Sequence, residues 1–311
     1  MKILLTGASG MVGRNVLESP QSSDYELLTP SHKELDLLDK LAVKNYLDKN
    51  RPDMVIHAAG VVGGIYANIK EPLRFLTENL EMGKNIICNA YQIGVKKFIN
   101  IAASCMYPRN HDTPLNEDMI LTGELEPTNE GFALAKICCT KMCNYITREN
   151  SLYQYKTLIP CNLYGRWDKF SAEKAHLIPA IIQKIVKAIN EGQTEIEIWG
   201  DGTSRREFMY AGDLAEFIWQ AVARFDELPE IINVGTGRDF SVNEYYSIIA
   251  KVAGFNGNFN HDLNKPTGMN RKLTEVSRMR RFGWKPKTSL EDGIKQTIDF
   301  YRANIINHKG N

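Results

Sequence analysis

The sequence predicts an α/β protein built on a doubly wound parallel sheet, with a smaller lobe formed by the C-terminal half. Two observations predict this class. Short apolar runs alternate with amphipathic helical stretches through the first 160 residues, an order typical of βαβ units whose sheet is covered on both faces. In addition, a glycine-rich segment, GASGMVG (7–13), directly follows the first run and opens the first helical stretch.

Each element follows from its local pattern. Apolar runs bounded by turn residues predict strands at 2–6, 25–29, 53–59, 96–103, 155–160, 195–199 and 230–235. Helical spacing of apolar residues predicts helices at 11–17, 39–48, 71–92, 129–149, 177–191, 212–225, 242–253 and 289–305. We expect residues 1–164 to form a dinucleotide-binding domain and 165–311 a smaller lobe, with residues from about 206 to 240 returning to the first domain.

Composition argues against several classes of protein. The 311 residues carry a net charge of +1 with no block of like charges, which disfavours a nucleic-acid surface or a membrane patch. The N-terminal apolar run is too short for a signal peptide, and no stretch is long enough to span a bilayer. Six cysteines in a chain of this length do not indicate a disulfide framework, and the CxxxC at 139 and 143 lacks nearby histidines, so no metal is expected. We predict a reduced, cytoplasmic protein.

The glycine-rich segment is the predicted cofactor site. Gly7 makes the turn, Gly10 lets a pyrophosphate approach the backbone, and Gly13 permits close helix–strand packing. The backbone N–H groups of Met11 and Val12 then face the phosphates at the helix N-terminus, and Ala58, near the end of the strand predicted at 53–59, is also expected to contact the cofactor. A glycine-rich turn without a ligand is the alternative, and the strand–turn–helix context argues against it.

The end of the second predicted strand indicates which dinucleotide binds. An NAD enzyme needs an acidic residue here for the ribose hydroxyls, but this chain offers Ser31, His32 and Lys33, with no acid before Glu34. Hydroxyl and basic groups favour the 2′-phosphate of NADP. The alternative is a loop with no role in binding.

Several segments together resemble the GDP-L-fucose synthase family of the extended short-chain dehydrogenase/reductase superfamily, across nearly the full length. They are GASGMVG (7–13), AAGVVGGIYAN (58–68), SCMYP (104–108), EPTNEGFALAK (126–136), PCNLYG (160–165), WGDGTSRREF (199–208) and GMNRKL (268–273). The resemblance implies a GDP-4-keto-6-deoxy-mannose 3,5-epimerase/4-reductase that uses NADPH. A homodimer built on the helices at 71–92 and 129–149, common in the superfamily, is also implied.

The resemblance also implies two proton-transfer residues. The family's cysteine and histidine, which remove and return the C3 and C5 protons beside the 4-ketone, correspond to Cys105 and His176. A thiol and an imidazole suit this task because their pKa values lie near neutrality. Cys105 could instead be a core thiol at a strand end, and His176 could simply cap the helix that follows it.

The reductase half of the family depends on serine, tyrosine and lysine. Lys136 is present, but the tyrosine position is Phe132 and the serine position is Ala103. Neither can donate a proton to the developing alkoxide. Ser104 adjoins the serine position, but one residue further along a strand its side chain should point the other way. We therefore expect hydride transfer to be strongly impaired.

Two explanations of these substitutions remain. Ser→Ala and Tyr→Phe each delete one oxygen and keep the shape, which favours deliberate inactivation of an active enzyme. The other is a natural relative that only epimerises or only reduces, on another GDP-keto-sugar such as a heptose. A third class, a non-catalytic NADP-binding sensor, is disfavoured because Cys105, His176 and Arg206 are retained.

The residues expected to bind the nucleotide sugar lie between positions 162 and 272. Arg206 is the expected diphosphate contact, since a guanidinium binds phosphate oxygens bidentately, and Arg271 and Lys272 could supplement it. Asn162 would lie near the hexose or the diphosphate, and Trp199 offers a flat apolar wall. Arg166 and Trp167, where the family has proline and histidine, are expected beside the sugar pocket, which leaves the exact sugar open.

Overall fold

A computed structural model of the chain describes residues 1–170, 175–265 and 269–306. The strands are β1 Lys2–Thr6, β2 Glu26–Leu28, β3 Met54–His57, β4 Lys97–Ile101, β5 Gln154–Pro160, β6 Asn162–Tyr164, β7 Glu195–Trp199, β8 Arg205–Arg206, β9 Phe208–Tyr210, β10 Ile231–Val234, β11 Phe240–Ser241, β12 Asn258–Asp262 and β13 Arg271–Lys272. The helices are α1 Met11–Glu18, α2 Lys40–Asn50, α3 Ile65–Lys70, α4 Pro72–Gln92, α5 Glu130–Glu149, α6 Leu177–Glu191, α7 Ala211–Ala223, α8 Val242–Ala253, α9 Ser277–Arg281 and α10 Leu290–Tyr301.

The central sheet has six strands in the order β10-β5-β4-β3-β1-β2, and every pair in it is parallel. Its strands are apolar because helices cover both faces. The sheet edge formed by the carboxyl ends of β1, β3 and β4 gathers the segments that begin at Gly7, Ala58 and Ala102. In a doubly wound sheet, ligands bind at this edge.

The predicted sheet is confirmed: all five strands expected in the first half are present, and the sixth, β10, lies beside β5. The strand predicted at 96–103 is too long, because β4 ends at Ile101. The Ile101 carbonyl accepts a hydrogen bond from the Lys136 ammonium at 3.0 Å, and a 3₁₀ turn begins at Ser104. The helix predicted at 289–305 ends at Tyr301 and continues as a π-helical turn over Arg302–Ile306.

The C-terminal half forms small sheets and a core of its own. β11-β8-β13 makes a three-stranded sheet, while β12-β7 and β6-β9 are two-stranded. A hydrophobic cluster formed by residues between 164 and 301 joins α6, α8 and α10. β10 joins the main sheet, and apolar residues of α7 pack in the same cluster as Val16 of α1. The domain boundary at 164 and 165 stays a prediction. No helix in the described part of the chain is long and apolar enough to cross a membrane.

Candidate functional site

The glycine-rich turn after β1 is held tightly by its backbone. Gly7 has φ +72°, a conformation that favours glycine, and a Cβ there would lie 2.6 Å from the Ala59 nitrogen. A Cβ on Gly13 would lie 2.3 Å from the Gly7 carbonyl oxygen. These two positions therefore require glycine for different reasons, the first for the turn and the second for packing of α1 against it.

Gly10 differs from these two glycines in a way that fits a bound diphosphate. A Cβ on Gly10 would meet only the Gly7 carbonyl oxygen, at 3.4 Å, so the space in front of it is open. Gly10 is the N-cap of α1, with no side-chain cap and no acidic residue in the first turn. The N–H groups of Met11 and Val12 thus remain available to an anion, and the site fits a dinucleotide.

The predicted adenosine end lies in the loop after β2. The Ser31 hydroxyl donates to Glu34 Oε2 at 2.8 Å, and the Ser31 N–H donates to the same oxygen. The Glu34 carboxylate is therefore already hydrogen-bonded to Ser31, and these hydrogen bonds lower its pKa. The exposed His32 lies 3.8 Å from Asp36. Lys33 is exposed and has no carboxylate within 4.0 Å in the described residues, so a cation is presented without an acid that would compete with a phosphate.

Lys136 and Phe132 lie on one face of α5, opposite the end of β4. The Lys136 ammonium is buried, donates to the Ile101 carbonyl, and lies 5.7 Å from the centroid of the Phe132 ring. Burial lowers the pKa of Lys136. The Phe132 ring packs edge-on against Phe75, with centroids 6.3 Å apart. Phe132 therefore lies beside the lysine, and its ring offers no proton; that it replaces the family phenol stays a prediction.

The turn over Ser104–Met106 carries Cys105 and corrects one expectation. Because β4 has already ended, the alternation of side chains along a strand does not apply to Ser104, and the prediction that it points away on that ground was wrong. Ser104 is buried. Ala103, in extended backbone, precedes this turn and supplies only a methyl group.

Cys105 and His176 are linked electrostatically through a shared lysine. Burial raises the pKa of the Cys105 thiol, and the nearby charges of Lys272 and Lys136 oppose that rise. Burial, together with the nearby charges of Lys169 and Lys272, lowers the pKa of His176 to about 4. Lys272 thus acts on both groups. At neutral pH the thiol is protonated and the imidazole is not, so the imidazole can accept a proton and the thiol can donate one.

His176 is the N-cap residue of α6, but its side chain makes no capping hydrogen bond. The alternative role proposed from the sequence, a simple helix cap, therefore gains no support. The backbone carbonyl of His176 accepts from Ala180, as the first carbonyl of a helix does. Its imidazole is half-buried.

Arg166 and Trp167 contact α1, and their place beside the sugar pocket stays a prediction. The Trp167 indole N–H donates to Glu18 Oε1 at 2.6 Å, and an Arg166 nitrogen lies 2.8 Å from Glu18 Oε2. Trp167 has φ +68°, in the left-handed region.

The residues predicted to bind the nucleotide sugar fall into two groups. Lys272 and Arg206 are neighbours in the strand register of β13 and β8, and Arg206 is half-buried. Asn162 lies on β6, and its side-chain amide donates to the Glu207 carbonyl at 2.9 Å. Arg271 is engaged elsewhere, because its Nε lies 2.5 Å from Asp239 Oδ2. Trp199 is 53% exposed at the end of β7, with the ammonium of Lys184 5.4 Å from its ring. All these binding roles stay predictions.

Glu207 and Lys169 were missed by sequence reasoning. The buried Glu207 carboxylate accepts hydrogen bonds from Thr274 N–H at 2.7 Å, Thr274 Oγ1 at 2.6 Å and Gly237 N–H at 2.8 Å. It thereby fixes β8 beside β10 and β13. The Lys169 ammonium donates to the Val62 carbonyl at 2.8 Å. No local pattern marks either residue, although Lys169 lies in the NLYGRWDKF segment that departs from the family.

Together the fold and the glycine-rich turn define a dinucleotide-binding enzyme. Residues 3–235 match the model of the NAD-dependent epimerase/dehydratase family. The chain is 54% identical to a GDP-L-colitose synthase of Yersinia pseudotuberculosis over 100% of both chains. It is 47% identical to a GDP-L-fucose synthase of Azorhizobium caulinodans over 96% of each.

A solved structure is also similar throughout. It is a GDP-mannoheptose C4 reductase from Campylobacter jejuni with NADP bound, which is 31% identical, has a TM-score of 0.87, and matches over 97% of this chain and 98% of that one. The chain belongs to the NAD-dependent epimerase/dehydratase family, among its GDP-L-fucose and GDP-L-colitose synthases. The resemblance drawn from the sequence motifs is confirmed.

Proposed function

We propose that this protein is an NADP-dependent enzyme of nucleotide-sugar biosynthesis that acts on a GDP-linked 4-keto sugar, in a form whose hydride transfer is impaired. One observation carries the proposal: the charge of Lys272 acts on both Cys105 and His176, while Phe132 stands beside Lys136 where a proton-donating phenol belongs. The substrate class is supported by the names of the relatives, a GDP-L-colitose synthase and a GDP-L-fucose synthase.

The residues account for the proton-transfer half of the reaction. A 4-ketone acidifies the hydrogens on the neighbouring carbons, so a neutral imidazole at His176 can remove one and the protonated Cys105 can return one from the other face. The negative charge that develops on the ketone oxygen needs a positive or hydrogen-bonding partner. Lys272 and Lys136 supply positive charge near Cys105. Without the hydroxyl of a serine at 103, this stabilisation is incomplete, so we expect exchange to be slowed.

The hydride-transfer half is weakened for a chemical reason. NADPH, when bound, supplies the hydride; Gly7, Gly10 and Gly13 with the N-terminus of α1 would hold its diphosphate, Lys33 its 2′-phosphate, and Lys136 its ribose. The substrate alkoxide must gain a proton as it forms. Phe132 and Ala103 have none to give, and a general acid contributes about 10²–10⁴-fold, or roughly 3–5 kcal/mol of barrier.

We further propose a homodimer built on α4 and α5. This is supported by exposed apolar side chains on these helices, among them Leu73, 71% exposed, and Leu134, 37% exposed. All six cysteines, each in the described part of the chain, are free thiols, which supports a reducing, cytoplasmic location. Analytical ultracentrifugation of the wild-type chain and a Leu73→Glu, Leu134→Glu variant would test the dimer, since charges buried in such a seam should release monomers.

The experiment that tests the proposed function separates its two halves. The chain and its Ala103→Ser, Phe132→Tyr variant are incubated with GDP-4-keto-6-deoxy-mannose and NADPH in deuterated water, and NADPH absorbance is followed together with deuterium at C3 and C5. We expect NADPH consumption only in the variant. If neither protein consumes NADPH or incorporates deuterium with this sugar or with a GDP-4-keto-heptose, the proposed function is wrong.

A further inference from the structure

Residues 165–170, which follow β6, are attached to helix α1 by three polar contacts. Glu18, at the C-terminal end of α1, accepts the Trp167 indole N–H at 2.6 Å and lies 2.8 Å from an Arg166 nitrogen. A third bond joins the same surfaces, because the Asn15 amide donates to the Arg166 carbonyl at 3.3 Å. We call Glu18, Arg166 and Trp167 the anchor.

Trp167 is held more firmly than its surface position suggests. Its ring lies between the Arg14 guanidinium, 4.1 Å from the ring centroid, and the Phe300 ring, at 4.7 Å between centroids. Its φ of +68° lies in the left-handed region, which non-glycine residues rarely adopt. A conformation of that kind persists only when surrounding contacts fix it, so the anchor determines the path of the chain after Gly165.

The anchor is connected to the cofactor turn on one side and to Lys169 on the other. The Arg14 Nε donates to the Ser9 carbonyl at 3.1 Å, inside the glycine-rich turn. Along the chain from Trp167, the Lys169 ammonium donates to the Val62 carbonyl at 2.8 Å, and its charge contributes to the lowered pKa of His176. A set of contacts therefore runs from the glycine-rich turn through α1 and the anchor to Lys169.

We propose that Glu18, Arg166 and Trp167 are positioning residues that transmit occupancy of the dinucleotide site to the segment carrying Lys169 and to His176. A bound dinucleotide fixes the glycine-rich turn and α1, and α1 then holds the segment through the anchor. The proposal rests on the proposed function for the role it gives His176 in proton transfer, but not for the coupling itself. A plain connection between two lobes would stabilise the fold without responding to the cofactor.

Backbone amide exchange measured by mass spectrometry tests the coupling without any sugar. Glu18→Gln removes the ion pair, and Trp167→Phe removes the indole donor while keeping a ring between Arg14 and Phe300. Asp48→Asn is the matched control, because it removes the ion pairs that Asp48 of α2 forms with Lys44 and Arg51, away from the anchor. In the wild-type chain, saturating NADPH should slow exchange at 166–170 by about fivefold or more.

In the two anchor variants, the same addition should slow exchange at 166–170 by less than about twofold, while the 7–13 segment stays protected. The control should behave like the wild-type chain. The proposal is overturned if NADPH protects 166–170 equally in all four proteins, or protects it in none. Loss of protection at 7–13 in a variant would also overturn it, because the substitution would then act on cofactor binding itself.

A second readout connects the anchor to chemistry. With GDP-4-keto-6-deoxy-mannose, deuterium incorporation should fall by about tenfold in Trp167→Phe, with the Kd for NADPH and the melting temperature nearly unchanged. A purely structural role would lower the melting temperature and leave the rate per folded molecule intact. If the wild-type chain incorporates no deuterium from any GDP-4-keto sugar, the proposed function fails, and amide exchange still decides the anchor.

Discussion

Restoring a phenol at position 132 should restore a general acid. In the Phe132→Tyr variant the new hydroxyl would lie near the Lys136 ammonium, which is 5.7 Å from the centroid of the present ring. A unit charge about 6 Å away, at an effective dielectric constant of about 20, stabilises a phenolate by about 2.8 kcal/mol, which is about two pKa units. The phenol pKa would thereby fall from about 10 to about 8, close to the working pH.

The size of the recovery follows from what each group supplies. A general acid contributes about 10²–10⁴-fold and an oxyanion donor about 10²–10³-fold, but groups that act as a unit do not add. We therefore expect Ala103→Ser with Phe132→Tyr to oxidise NADPH at least about 10²-fold faster than the chain as it stands. Phe132→Tyr alone should recover part of this, since Lys136 is already in place.

Steady-state NADPH oxidation with GDP-4-keto-6-deoxy-mannose is the assay. Glu149→Tyr is the matched control for the phenol, because it adds the same group at the C-terminal end of α5, at an exposed position. Ala102→Ser is the control for the second hydroxyl. Neither should raise the rate. A double variant that binds both ligands but is no faster than the parent would refute the assignment of positions 103 and 132.

Three further predictions follow from the site and the core. Cys105→Ala and His176→Asn should each reduce deuterium incorporation by about 10²–10⁴-fold without changing the Kd for NADPH, as isothermal titration would show. Lys33→Ala should weaken NADPH binding by about fivefold and leave NADH binding unchanged, because only NADPH carries the phosphate. His57 is buried, and burial lowers its pKa from 6.5 to about 3. Between these values the unfolded state binds the extra proton, so His57 should cost stability as pH falls from 6.5, by about 1.4 kcal/mol per pH unit; urea unfolding of His57→Gln should show a shallower slope.

The sheet could be predicted because its strands are long apolar runs that end at turn residues. Buried parallel strands are typically continuous apolar runs that end at turn residues, and β1, β3 and β5 show this pattern. The two-residue strands β8, β11 and β13 could not be predicted, since no local pattern specifies them. They depend on partners distant in sequence, such as the Glu207 carboxylate and Thr274, 67 positions apart.

The features of the site also divide into those that local sequence predicts and those that depend on distant contacts. The glycine turn and the position of Lys136 follow from motifs that local geometry requires. The influence of Lys272 on both Cys105 and His176 depends on how β13 folds back beside β8, and the bond between Trp167 and Glu18 joins residues 149 positions apart. The prediction for Ser104 failed for a local reason, because β4 stops at Ile101. There the Lys136 ammonium donates a hydrogen bond to the Ile101 carbonyl.

We expect this chain to retain proton transfer and to lack efficient hydride transfer. Both are followed in one sample of the unaltered protein, with GDP-4-keto-6-deoxy-mannose and NADPH in deuterated water. Deuterium should appear at C3 and C5 of the sugar while NADPH absorbance falls at least about 10²-fold more slowly than in the Ala103→Ser, Phe132→Tyr variant. NADPH oxidation by the unaltered chain at the rate of that variant would contradict this expectation.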